Sequence, residues 1–181
     1  MQSRTHFPHN AIGFMQGRPS PMRNGRIQSF PWETWDQEFE QARNMDFSNI
    51  EWTIDSEKFF ENPLLTKDGT KRIKQLCKIN EIHIPSVTCD YFMENPSWNS
   101  NERDIRGNLI KILDGMTAIG SRILVIPLVD NSSIRSQSEL LSACEFFQLF
   151  SDELQDRNIQ IAFESDFPPL KLNAFLANFN R

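Results

Sequence analysis

The sequence has no long hydrophobic run, since its longest strongly apolar stretch is the seven-residue segment Ile123–Val129. A helix that spans a bilayer needs about 20 apolar residues. The first ten residues, MQSRTHFPHN, are polar and lack the apolar core of a secretory signal. We therefore expect a cytoplasmic protein with no membrane partner.

Cysteine and positive charge are also scarce. The three cysteines, Cys77, Cys89 and Cys144, are dispersed without a CxxC pair, which argues against a disulfide framework or a zinc knuckle.

The 19 basic residues are outnumbered by 24 acidic ones, giving a net charge of −5. A general nucleic-acid binder needs a basic face, so we expect no nucleic-acid partner. No GxGxxG or GxxxxGK[ST] motif is present, so a nucleotide phosphate loop is not indicated.

The 181 residues are 39% hydrophobic and 24% charged, which is typical of one globular domain over residues 1–181. Short apolar runs alternate with stretches of helical period. The predicted strands are Ala11–Met15, Asn49–Ile54, Pro85–Cys89, Ile123–Val129 and Ile159–Phe163. Their starts are 36 or 38 residues apart, and such regular alternation predicts parallel strands joined by right-handed crossovers.

Two α/β architectures fit this spacing. One is an open, doubly wound sheet of five parallel strands. The other is an incomplete (β/α)8 TIM barrel of about five βα units, because eight such units would need about 300 residues. The sequence ends within or just past an amphipathic helix pattern, which favours the incomplete barrel.

Both architectures bind ligands at the C-terminal ends of their strands, where acidic residues follow four of the five apolar runs. Glu164, after Ile-Ala-Phe, is the strongest candidate. A buried carboxylate there is costly without a cation or hydrogen bonds, and it could bind Mg²⁺ or Mn²⁺ or act as a base beside a carbonyl. The alternative is a glutamate that accepts hydrogen bonds from the N–H groups of the next helix.

Other residues near the strand ends have two interpretations each. Arg18, Arg23 and Arg26 in the first loop suit phosphate oxygens, or they belong to a solvated loop. Trp52 and Tyr91 could form an apolar face for a sugar ring, or they pack in the core.

Several segments together resemble sugar phosphate isomerase/epimerase proteins of the xylose isomerase-like TIM barrel superfamily. The segments are 12–18 (IGFMQGR), 24–32 (NGRIQSFPW), 50–52 (IEW), 61–64 (ENPL), 85–93 (PSVTCDYFM) and 161–166 (IAFESD). The resemblance covers residues 11–181, and the order of the segments makes it specific.

The resemblance implies a divalent metal site, in which two glutamates, an aspartate and a histidine hold Mn²⁺, Co²⁺ or Mg²⁺. The metal would bind a sugar, and the glutamates would transfer a proton through an enediolate. Only Glu164 corresponds to one of these ligands, so the ligand set in this sequence is incomplete. We therefore expect a partial barrel that pairs with a completing segment or forms a homo-oligomer.

The resulting hypothesis is a metal-dependent isomerase or epimerase of a sugar or sugar phosphate in carbohydrate metabolism. Glu164 would be ligand and base, Gln16 and Arg18 would orient the substrate, and Glu51 and Asp90 would bind hydroxyl groups. Whether the chain is active by itself stays open. The alternative is a non-catalytic α/β fragment or partner-binding module. Endonucleases of the same superfamily are disfavoured, since no histidine follows a strand and the net charge is negative.

Overall fold

The computed structural model describes residues 12–22, 25, 29–96 and 102–179. Its strands are β1 (Gly13–Met15), β2 (Asn49–Thr53), β3 (Ser86–Thr88), β4 (Ile123–Leu128) and β5 (Gln160–Ser165). Its helices are α1 (Gln37–Asn44), α2 (Lys67–Asn80), α3 (Tyr91–Glu94), α4 (Glu102–Ile119), α5 (Gln137–Gln148), α6 (Ser151–Arg157) and α7 (Pro169–Leu176). The alternation predicted from the sequence is confirmed.

All five strands are parallel and lie in the order β1-β2-β3-β4-β5. In a doubly wound sheet the order of the strands reverses at a switch point, whereas here each strand lies beside the next one along the chain. Right-handed crossovers that always advance in one direction place every helix on the same face. The structure therefore has the topology of five consecutive units of a (β/α)8 barrel, and the doubly wound alternative is wrong.

The two faces of the sheet differ because side chains alternate along each strand. In β2, Trp52 is fully buried, and its indole packs 5.5 Å from the Phe30 ring and 5.6 Å from the Trp35 ring. Glu51, between Ile50 and Trp52, is only partly buried and belongs to the opposite face. The apolar face supports the helices, and the polar face is concave.

The last strand shows the same division. Ile161 and Phe163 are partly buried, and the Phe163 ring lies 5.1 Å from Phe147 and 5.0 Å from Phe175, on α5 and α7. Gln160, Ala162 and Glu164 are exposed on the other face. Because Phe163 points toward the helices, Glu164 points to the concave face.

Strand and helix ends depart from the predicted ones by a few residues. β3 is limited to Ser86–Thr88, and β5 extends to Ser165. The apolar residues between Leu140 and Leu154 are divided between two helices, α5 and α6. Among the described residues, no helix is long and apolar enough to cross a membrane.

Candidate functional site

An open cavity of about 330 Å³ lies at the C-terminal ends of β2 to β5. Its lining comes from the segments that follow β2, β3 and β4, and from the end of β5. The lining residues are Asp55, Ser56, Asp90, Met93, Glu94, Val129, Asp130, Asn131 and Glu164. Ligand pockets commonly measure about 300–1,000 Å³, so this cavity is large enough for a small molecule.

The strand register brings three of these carboxylates to one level of the sheet. Thr53 pairs with Thr88, Thr88 pairs with Val125, and Pro127 pairs with Glu164. Since side chains repeat every two residues, two positions beyond Thr53 and Thr88 lie on the same face and one level higher. Those positions are Asp55 and Asp90, and they match the level of Glu164.

Backbone hydrogen bonds continue the ladder past the strands and fix this arrangement. Ile54 N–H donates to the Thr88 carbonyl at 2.9 Å, and Tyr91 N–H donates to the Ile54 carbonyl at 2.9 Å. The two bonds flank Cys89 and Asp90. Asp55 is held from the other side, since its Oδ2 accepts a hydrogen bond from the Phe30 N–H at 2.8 Å.

The pKa of Asp90 is strongly raised. Burial raises the pKa of Asp90 to about 7, and the charges of Asp55, Glu164, Glu51 and Glu94 add to the rise. Asp90 precedes α3 and makes no side-chain capping bond to that helix. Its carboxyl group therefore exchanges a proton near neutral pH, which is useful for acid–base chemistry.

The loop after β4 adds Asp130 and Asn131 to the rim. Asp130 has a left-handed backbone with φ of 53° and begins a single 3₁₀ turn, Asp130–Ser132. The turn is anchored by Ser132, whose Oγ donates to the Pro127 carbonyl at 2.7 Å. Aspartate and asparagine tolerate this backbone conformation better than most residues do.

Of the residues predicted to form the site, Glu164 and Asp90 line the cavity. Glu51 lies on the same face below them, where its Oε2 accepts a hydrogen bond from the Ser86 hydroxyl at 2.6 Å. Its charge contributes to the raised pKa of Asp90. These three predicted residues are brought together.

The structure places Trp52 and Tyr91 away from the cavity lining. Trp52 is in the core, and its Nε1 donates to Asn62 Oδ1 at 3.0 Å. The Tyr91 ring lies 4.4 Å from the Phe59 ring, and its hydroxyl accepts a hydrogen bond from Asn108 Nδ2 at 2.8 Å. Both act as core aromatic residues here, so the sugar-stacking interpretation is corrected.

Gln16 and Arg18 are also absent from the lining. Gln16 is fully buried, and its Oε1 accepts a hydrogen bond from the Thr53 N–H at 3.3 Å. Arg18 is exposed on the loop after β1. Arg23 and Arg26 lie outside the described residues.

The sequence analysis missed Asp55, Glu94 and Asn131 as lining residues. A signal for Asp55 was present, because Asn49, Glu51, Thr53 and Asp55 form an alternating polar set. Extending that alternation one step past Ile54 would have identified it. Cys89 is fully buried, and burial raises the pKa of its thiol well above the ordinary range.

A complete metal site does not fit the part of the chain that the structure describes. Carboxylate oxygens are suitable ligands for Mg²⁺ or Mn²⁺. However, no group of three or more His, Cys, Asp or Glu residues among those described is arranged to hold a metal ion. Glu164 could contribute one ligand.

Comparison with solved structures identifies the fold. The chain matches a xylose isomerase-like TIM barrel protein from Mycobacterium smegmatis in complex with magnesium, with a TM-score of 0.67 and 14% identity over 96% of this chain. It matches a D-allulose 3-epimerase from Methylomonas sp. in complex with D-allulose, with a TM-score of 0.66 and 14% identity over 97% of this chain. It also matches a family 2 AP endonuclease from Brucella melitensis, with a TM-score of 0.66 and 13% identity over 95% of this chain. No protein-family model and no curated protein matches the sequence.

These matches establish the fold of a TIM barrel, which is the fold that the resemblance in sequence implied. The chain spans 62%, 61% and 65% of the three matched structures, which is less than two thirds of each. The fold alone does not determine the reaction, because one fold supports many activities.

Proposed function

We propose that this chain forms the sugar-binding and proton-transferring part of an isomerase or epimerase that acts on a monosaccharide. The proposal rests on the positions of three carboxylates, Asp55, Asp90 and Glu164. They lie at the same level of the sheet and line an open cavity above the C-terminal strand ends. Support also comes from the shared fold with an epimerase whose structure contains D-allulose.

In the proposed reaction, Glu164 accepts a proton from the carbon next to the sugar carbonyl, and an enediolate forms. A proton returned by Glu164 to the neighbouring carbon gives an isomer. An epimer would form if a second acid returned the proton to the opposite face of the same carbon, so the steps assigned to Glu164 account for isomerisation. Asp90 is suited to donate or exchange a proton with a sugar oxygen, because its pKa of about 7 keeps both protonation states populated near neutral pH.

In this proposal Glu164 would supply one ligand to a divalent cation such as Mn²⁺, Co²⁺ or Mg²⁺. The cation would polarise the carbonyl when bound. The described residues do not complete a metal site. The proton transfers assigned above to Glu164 and Asp90 are made by their own carboxyl groups.

Solvent deuterium exchange tests the proposal directly. The 181-residue chain is incubated in D₂O with neutral ketoses and aldoses, with and without Mn²⁺, and deuterium at the carbon next to the carbonyl is followed by NMR. We expect exchange by the wild type and a loss of at least about 100-fold in Glu164→Gln, since a positioned acid–base group contributes about 10²–10⁴. The matched control is Glu145→Gln, which removes an exposed charge on α5.

A non-catalytic fragment or partner-binding module is the alternative, and the sheet edges support it. Among the described strands, β1 and β5 each pair with one neighbour only. We propose that a completing segment or a second copy of the chain covers one of these edges. Size-exclusion chromatography with light scattering tests the second copy, and a wild type without deuterium exchange favours the non-catalytic alternative.

An endonuclease is less well supported than a sugar enzyme, despite the match to the Brucella protein. The cavity is lined by carboxylates, and the chain has a net charge of −5. A phosphodiester backbone is recognised through positive charge. We therefore expect no binding to a duplex with an abasic site at low salt.

A further inference from the structure

The charge of the cavity lining limits the substrates that the site can accept. Five of the nine lining residues carry carboxyl groups, namely Asp55, Asp90, Glu94, Asp130 and Glu164. The other four, Ser56, Met93, Val129 and Asn131, are uncharged. Within the described residues, no lysine, arginine or histidine lines this cavity.

Two basic side chains of neighbouring segments make contacts outside the lining, one of them with the backbone of a lining residue. Arg135 donates from Nη2 to the Asp130 carbonyl at 3.2 Å, and it is not a lining residue. Lys58 lies 5.4 Å from the centre of the Trp32 ring, in a cation–π contact. The negative charge of the cavity is therefore not balanced by a lining cation from the described residues.

We infer that the cavity selects a neutral, unphosphorylated monosaccharide and discriminates against sugar phosphates. This inference rests on the proposed function and specifies its substrate class. Carboxylates and the amide of Asn131 accept or donate hydrogen bonds to sugar hydroxyls, and Met93 and Val129 provide apolar surface for the carbon atoms of the ring. A phosphate dianion would meet like charges, which is strongly unfavourable in a partly enclosed site.

The size of the cavity supports the same class. Its volume of about 330 Å³ is near the lower end of the range of about 300–1,000 Å³ for ligand pockets. A single sugar unit suits that volume better than an oligosaccharide or a nucleotide does.

Paired binding measurements test the inference. The probes are D-fructose with D-fructose 6-phosphate, and D-xylulose with D-xylulose 5-phosphate, titrated into the full 181-residue chain by calorimetry and ligand-observed NMR. We expect each phosphate ester to bind at least about tenfold more weakly than its parent sugar at low salt. The ratio should shrink between about 0.01 M and about 1 M salt, as the screening length falls from about 30 Å to about 3 Å.

A variant that removes one lining charge tests whether the charge of the cavity causes the weaker binding of phosphate esters. Asp130→Asn keeps a residue that tolerates the left-handed backbone, and it should reduce the ratio of affinities by about two- to fivefold. Asp152→Asn removes the same charge from an exposed position on α6 outside the lining and should leave the ratio unchanged.

The outcomes separate this inference from the proposed function. A phosphate ester that binds as tightly as its parent sugar, or more tightly, overturns the inference and leaves sugar isomerisation possible. Neutral sugars that bind more tightly than their phosphate esters but show no deuterium exchange overturn the proposed function and support the inference. If none of the four probes binds, both are overturned.

Discussion

The carboxylate of Asp55 accepts a hydrogen bond from the backbone N–H of Phe30 at 2.8 Å, so the acidic cavity is connected to the aromatic core. Phe30 is fully buried, and its ring packs 4.6 Å from Trp32 and 5.5 Å from Trp52. Asp55 therefore has two roles: it satisfies a buried donor, and it places a negative charge beside Asp90.

Two substitutions at residue 55 should separate these roles. Asp55→Ala leaves the Phe30 N–H unsatisfied and should lower the free energy of unfolding by about 1–3 kcal/mol. Asp55→Asn retains an oxygen acceptor but removes the charge, so it should cost less stability. Both variants should lower the pKa of Asp90, because the Asp55 charge raises it.

Urea unfolding measures the stability of both variants, and carboxyl ¹³C NMR measures the Asp90 titration. An Asp90 pKa that stays at about 7 in Asp55→Asn would contradict the electrostatic coupling between the two residues.

Ionisation of Asp90 should lower the free energy of unfolding as the pH rises. The pKa of Asp90 is about 7 in the folded chain, and its ordinary value is 3.8. Between these two pH values the folded state therefore binds more protons than the unfolded state does. The free energy of unfolding attributable to Asp90 is therefore highest at low pH and decreases from about pH 4 to about pH 7. One pKa unit corresponds to about 1.4 kcal/mol, so the decrease is on the order of 2–4 kcal/mol.

The comparison of wild type with Asp90→Asn isolates this effect from that of other acids. In metal-free buffer, Asp90→Asn should be more stable than the wild type at pH 8 and should lose the advantage near pH 4. Urea unfolding curves across this range check it, and a constant difference between the two proteins would refute the raised pKa.

The sequence was sufficient to predict the strands but not to predict their order in the sheet. The 36- or 38-residue spacing of the apolar runs predicts five parallel strands because each βα unit has a similar length. Both a barrel and a doubly wound sheet use right-handed crossovers, and they differ only in which strands become neighbours. The pairing of β1 with β2, and of each later strand with the next, gave that information.

Prediction of which side chains reach the concave face was correct where side-chain alternation fixes direction and incomplete elsewhere. Glu164 ends a strand whose alternate residues are apolar, so its position on the concave face follows from the pattern. Trp52 was assigned to the site although it shares a face with Ile50, and that face packs against helices. Glu94 ends the one-turn helix α3, and Asn131 lies in the 3₁₀ turn Asp130–Ser132, and such short elements show no period that indicates which way a side chain points.

The loop after β1 depends on a buried carboxylate. Glu38 on α1 is fully buried, and its two oxygens accept hydrogen bonds from the Gly17 N–H at 3.0 and 3.1 Å. The Ser20 hydroxyl donates to the same carboxylate at 2.7 Å. Burial raises the pKa of Glu38, and these bonds from Ser20 and Gly17 oppose the rise.

Glu38→Gln should lower the free energy of unfolding by about 1.5–3 kcal/mol, since hydrogen bonds to a charged group are lost. Its exposed neighbour on the same helix provides the control, and Glu40→Gln should change stability by less than about 0.5 kcal/mol. Chemical denaturation compares the two, and equal effects would show that Glu38 does not anchor the loop.

Two glycines of α4 should respond in opposite directions to the same substitution. A Cβ at residue 115 would overlap the Leu64 carbonyl oxygen and lie 3.0 Å from the Leu64 Cγ, whereas a Cβ at residue 107 would meet nothing within 4 Å. Gly115→Ala should therefore destabilise the protein by about 1–3 kcal/mol through overpacking against the 3₁₀ turn Pro63–Leu65.

Gly107→Ala should stabilise the chain by about 0.5–1 kcal/mol, because alanine is the better helix former and has room there. The shared helix makes this a matched pair, since both substitutions gain the same intrinsic propensity and differ in the space around the new methyl group. Thermal unfolding of the two variants beside the wild type measures the difference. If Gly115→Ala proved as stable as Gly107→Ala, α4 would not pack against Leu64 as closely as the structure indicates.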